Sequence, residues 1–86
     1  MRHATQEDLD RLEPLLVELR TLPQLRERTR GSFSRGSHAF LHFHEDSGEF
    51  FVDVKLDGRF SRAKVTSRDE QAELLSRIEI ALPSNP

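Results

Sequence analysis

His42-Phe43-His44 places two imidazoles two residues apart. Along an extended strand such neighbours project from the same face about 7 Å apart, a spacing from which both rings can reach one ion. The hairpin register argued below sets Glu49 opposite His44. His42, His44 and Glu49 therefore form a candidate ligand set of the zinc or iron type, two nitrogens and a carboxylate. His38, four residues before His42 on the same strand, is too far along it to share the ion. The chain has no cysteine, so thiolate ligands, thiolate nucleophiles and disulfides are all excluded.

Other chemistry is sparsely represented. Serines and histidines are present, but no Gly-x-Ser-x-Gly elbow, Walker loop, dinucleotide-binding glycine motif or His-Glu-x-x-His helix occurs. Asp8 and Asp10, like Asp69 and Glu70, read as first-turn acids favoured by a helix dipole rather than as catalytic pairs. No catalytic residue is assigned and no cofactor is called for, which describes a small non-enzymatic protein.

The 86 residues amount to 10.0 kDa, with 35% hydrophobic and 33% charged side chains. Globular chains average about 25% charged, so the core must be thin. A chain of this size buries only about 60–65% of its unfolded surface, and self-association would supplement that burial. Thirteen basic against fifteen acidic residues give a net charge of −2, which opposes a bulk electrostatic grip on nucleic acid. No apolar run approaches membrane-spanning length, and Met1-Arg2-His3 leads into acidic residues rather than a signal sequence. The expectation is a cytoplasmic protein with no membrane partner.

The chemistry-bearing residues must be positioned by strands, because all six phenylalanines fall between Phe33 and Phe60 while leucines dominate both flanks. Thr5-Gln6-Glu7-Asp8 resembles a capping box, and Leu9, Leu12, Leu15, Leu16 and Leu19 recur at helical spacing, predicting a helix over about 5–21. Pro14 either kinks that helix or opens a second helical piece. Ser67-Arg68-Asp69-Glu70 is a second capping box before a helix over about 68–82, stopped by Pro83 ahead of a short polar tail. Between them, alternating apolar and polar residues punctuated by Gly31, Gly36, Gly48 and Gly58 predict strands over about 28–33, 37–44, 49–56 and 59–65. The expected fold is α+β, in the order α-β-β-β-β-α, with a four-stranded antiparallel meander and both helices on one face.

Turn chemistry sets the expected register. A type I′ turn at Asp57-Gly58 pairs Leu56 with Arg59, Val54 with Ser61, Val52 with Ala63 and Phe50 with Val65. A four-residue Glu45–Gly48 loop pairs Phe43 with Phe50, Leu41 with Val52 and Ala39 with Val54. A three-residue Ser34-Arg35-Gly36 loop, with Gly36 left-handed, adds Phe33 to that core face. The opposite face then carries Arg28, Arg30, His38, Phe40, His42, His44, Glu49, Phe51, Asp53, Lys55, Phe60, Arg62 and Lys64. Asp53 faces Arg62, Phe51 faces Lys64, and Phe60 faces Lys55.

Three phenylalanines among charges suggest an interface, with Arg30, His38, Phe40, His42, Phe51, Phe60, Arg62 and Lys64 as its residues. The leading reading is a homodimer packed through this face. Histidines buried there beside Lys55 would oppose association when protonated near pH 6. The alternative is a stacking platform for single-stranded nucleic acid. Two segments are locally basic, 26–35 and 59–68, but as the first and last strands they would lie on opposite edges, where Lys and Arg discourage strand addition.

Leu22-Pro23-x-Leu25-x-Glu27, Gly31-Ser32-Phe33, Ala39-Phe40 and Val54-Lys55-Leu56 together resemble the small bacterial MmcQ/YjbR-like proteins over roughly Leu22 to Leu75. The resemblance implies a frataxin-like α+β architecture and, for a family of unsettled activity, suggested DNA binding. This chain lacks the aromatic, His-containing C-terminal segment of those proteins. The frataxin-like comparison also implies iron binding by first-helix acids, here Glu7, Asp8, Asp10 and Glu13, but Arg28 and Arg30 follow where further acids would be expected.

Overall fold

A computed structural model describes residues 1–82. Thr5 caps α1 (Gln6–Arg11) through a reciprocal capping box with Asp8, each side chain bonding the other's backbone N–H. Pro14 does not kink a single helix: Leu12 separates α1 from α2 (Glu13–Arg20), and the proline takes the first turn of α2, where no backbone N–H is needed. Ser67 and Glu70 form the second capping box, at the start of α3 (Arg68–Ala81). The expected stop at Pro83 and the polar tail lie outside the described residues.

The sheet has six antiparallel strands rather than four. They are β1 (Arg2–His3), β2 (Arg26–Thr29), β3 (Ser32–Arg35), β4 (His38–Asp46), β5 (Glu49–Lys55) and β6 (Phe60–Lys64). Their spatial order is β2-β3-β4-β5-β6, with β1 paired to the second half of β4. The expected first strand is cut in two by a turn at Arg30-Gly31. Gly31 has φ +82°, and a Cβ there would meet Leu9 Cδ2 at 2.6 Å, so the turn needs glycine both for its backbone and for its approach to α1. Ser34 and Arg35 belong to β3 rather than to a loop, and the turn follows at left-handed Gly36.

The β5–β6 register is the expected one, with Val54 opposite Ser61 and Val52 opposite Ala63. Its turn is not type I′, because Asp57 is not left-handed; the only non-glycine residue with positive φ among the described residues is Ser47. The two-residue, doubly left-handed turn lies instead at Ser47-Gly48, with φ of +53° and +83°. The β4–β5 hairpin therefore closes tighter than expected, pairing Asp46 with Glu49, His44 with Phe51, His42 with Asp53 and Leu41 with Val54. A slip of two residues keeps every side chain on its expected face but changes its partner.

One face of the sheet carries Phe33, Leu41, Phe43, Phe50, Val52, Val54 and Val65, which join the leucines of α1 and α2 and Leu74, Ile78 and Leu82 of α3 in one buried cluster. Phe40, expected on the other face, is only 2% exposed and belongs to this cluster. The register shifts between Phe33↔Leu41 and Ser34↔Ala39, leaving Phe40 as the extra residue of a β-bulge. The bulge turns the ring inward and leaves Ala39, expected inside, exposed. No described helix is long and apolar enough to cross a membrane.

Candidate metal centre

The face away from the helices is organised by cross-strand rows. His42, Asp53 and Arg62 form one row, and His3, His44, Phe51 and Lys64 form the next. Asp53 is the hub. Its Oδ2 lies 2.9 Å from His44 Nε2 and 3.2 Å from His42 Nε2, and it accepts from Arg62 Nη2 at 2.9 Å, while Arg62 Nε donates to Oδ1 at 2.7 Å. Arg62 above all holds the Asp53 carboxyl down to about 2, with His44 assisting against the opposing effect of burial. Asp53 is thus a carboxylate throughout the physiological range.

His3 enters from β1, which is placed by backbone and charge contacts. Ala4 N–H donates to the Phe43 carbonyl at 3.1 Å, and Arg2 reaches both Asp8 and Glu45 at 3.1 Å. The His3 ring consequently sits 4.8 Å from that of His44 and 6.0 Å from that of His42, while His42 meets His44 edge-on at 4.9 Å. Phe60 packs edge-on against His42 at 5.5 Å, with Lys55 Nζ 5.4 Å from its centroid as the expected cation–π pair. Burial pushes the His42 imidazole below its ordinary pKa despite the Asp53 charge, and the two neighbouring histidines push the same way. The neutral form, with its available lone pair, is favoured.

The structure brings together His42 and His44 from the expected ligand set but replaces Glu49 with Asp53. The two-residue slip sets Glu49 opposite Asp46, where its carboxylate accepts from Thr66 Oγ1 at 2.7 Å and pairs with Lys64 at 3.0 Å. His42, His44 and Asp53 offer ligand atoms that all lie within 4.8 Å of one another, the only such group among the described residues. The two nitrogen-to-oxygen separations, 2.9 and 3.2 Å, approach the roughly 3.3 Å expected between adjacent ligands of a tetrahedral ion with bonds of about 2.0–2.1 Å. Arg62 would then be the outer partner orienting the carboxylate.

The remaining expected face residues divide. Phe51 and Phe60 lie on the open face, but Lys64 pairs with Glu49 rather than with the Phe51 ring. His38 opposes Arg35 before the bulge, beside Phe40 and Lys55 and apart from His42. Arg30 is not on this face. From its turn the guanidinium reaches Asp10 at 2.7 Å and Glu13 at 2.9 Å on the helices. Three of the four acids named for that helix are engaged, Asp10 and Glu13 by Arg30 and Asp8 by Thr5 and Arg2, while Glu7 is exposed. No family model matches the chain, and comparison with curated proteins and with solved structures finds no similar one.

Proposed function

We propose that this protein binds a divalent transition-metal ion at His42, His44 and Asp53. The observation that supports the reading is the convergence of two imidazole nitrogens on one carboxylate oxygen. With both imidazoles in their Nδ1–H tautomers, His42 Nε2, His44 Nε2 and Asp53 Oδ2 would hold the ion. Arg62 would keep the carboxylate oriented through its 2.7 Å bond from Nε to Oδ1. Two nitrogens and one oxygen suit zinc or iron(II), and three protein ligands leave positions for water or an added ligand. Zinc titration of tag-free protein, followed calorimetrically and by metal analysis, is expected to give one ion per chain and to fail in His44→Ala. Absence of stoichiometric binding, or undiminished binding by His44→Ala, overturns the reading.

Self-association through the same face is a second reading, supported by Phe60, 44% exposed beside His42. It lost one of its three rings when Phe40 turned inward. The nucleic-acid reading lost more, because Arg62 and Lys64 are held by Asp53 and Glu49. Light scattering that returns a monomer mass for wild type at micromolar concentration excludes the dimer.

A further inference from the structure

Beside His42 the sheet has a step. Strands β1 and β3 share one edge of β4, but β3 pairs only as far as Leu41 and β1 begins only at His44. The unfilled interval is part of a depression of about 430 Å³. His3 and His42 line one part of it, and Arg28 with Ser32, Ser34 and Ser37 line another. No carboxylate among the described residues lines it, although acidic residues outnumber basic ones in the chain.

Arg28, exposed on β2, differs from the arginines that are held by carboxylates. Arg2, Arg20, Arg30 and Arg62 each have a carboxylate within 4.0 Å; Arg28 is one of seven arginines with none among the described residues, and the one of those seven whose guanidinium bonds neutral protein acceptors. Its Nε instead donates to Ser34 Oγ at 3.0 Å, and Nη2 reaches the Gly36 carbonyl at 3.4 Å. These bonds orient the guanidinium and leave Nη1 without a protein partner among the described residues. Exposed Ala39, with the edge of Leu41, supplies an apolar lining.

We infer that this depression binds a small organic carboxylate, with Arg28 as the anion-recognising residue and the His42 metal centre as a second anchor. An arginine held in plane by its other nitrogens offers directional, charge-assisted donors to a carboxylate. The serine hydroxyls can complete the polar contacts, and the apolar lining favours an organic acid over a bare inorganic anion. The second anchor rests on the metal reading; the Arg28 anchor does not.

Succinate, butyrate and inorganic phosphate are the probes, titrated into metal-free and zinc-loaded protein and followed by amide chemical shifts. Saturable millimolar binding of succinate is expected, with shifts at residues 28, 32, 34, 37 and 42. Arg28→Gln is expected to weaken it at least about 10-fold, and Arg59→Gln to leave it unchanged. Zinc is expected to tighten succinate more than butyrate, because only the dicarboxylate carries a second carboxylate for the metal anchor. Failure to saturate, equal binding by Arg28→Gln, or phosphate binding as tight as succinate overturns the carboxylate site. Arg28-dependent binding in a protein that takes up no zinc sustains the site while removing the metal anchor.

Discussion

Carboxylates are held by arginines on both sides of this sheet, with opposite chemical consequences. On the helix side, Arg20 bonds Glu13 at 2.6 Å and Glu27 at 2.7 Å, and Arg30 bonds Glu13 and Asp10. Glu27 also accepts from the Gly31 N–H at 2.9 Å, tying the β2–β3 turn to this network. These arginines hold the Glu13 and Glu27 carboxyls below their ordinary range. On the open side, Asp53 meets one arginine and two imidazoles, with a third imidazole stacked behind. Imidazoles can exchange a proton for a metal. The helix-side network therefore offers no imidazole, whereas the open-side cluster holds imidazoles beside a carboxylate.

The contrast breaks most sharply if the open side proves merely structural. Replacing both His42 and His44 by alanine is expected to lower zinc affinity by more than about 100-fold, beyond what loss of an outer partner alone costs. The metal-free unfolding midpoint is expected to move little by comparison. A large loss of stability with unchanged zinc affinity would reverse the assignment of the two regions.

The next effect belongs to the scaffold. Gly31→Ala forces a side chain into a left-handed backbone and against Leu9, and is expected to cost about 2–3 kcal/mol in denaturant unfolding. Refolded variant protein should still bind zinc.

Acid stability sharpens the comparison because both sides contain depressed carboxylates. Asp53 titrates at about 2 in the folded protein and near 3.9 when unfolded, so its stabilisation is complete above the unfolded value and is lost as pH falls from about 4 to 2. The linkage amounts to about 2.5 kcal/mol. Asp53→Asn is expected to flatten this part of the metal-free stability profile without abolishing it, because Arg20 also lowers the Glu27 pKa. An unchanged profile would show that Asp53 is not held by Arg62 in solution.

The smallest effect is expected of Glu27→Gln. It weakens the bond to Arg20 while keeping an acceptor for Gly31, and should cost about 1 kcal/mol with zinc affinity unchanged.

Much of this arrangement was legible in local patterns. Both capping boxes, the β5–β6 register, the Asp53–Arg62 pair and the shared face of His42 and His44 follow from residue types and spacing. Glu49 does not join His42 and His44 because a four-residue loop was expected where Ser47 instead accepts a left-handed backbone and Glu45 bonds the Gly48 N–H at 3.0 Å. Phe40 was misplaced because alternation carries no mark of a bulge whose cause lies in the neighbouring strand. Arg30 was misplaced because its turn is stabilised by helices far away in sequence, and His3 was missed because a two-residue strand leaves no periodic signal.

The sequence by itself determined the face on which the chemistry resides, since side chains alternate with a period of two and a slip of two residues preserves the face. Only the tertiary structure decided which groups meet there. Closure of the Ser47-Gly48 turn brought Asp53 to His42, and docking of β1 brought His3 to His44, because cross-strand partnership depends on how separate segments align.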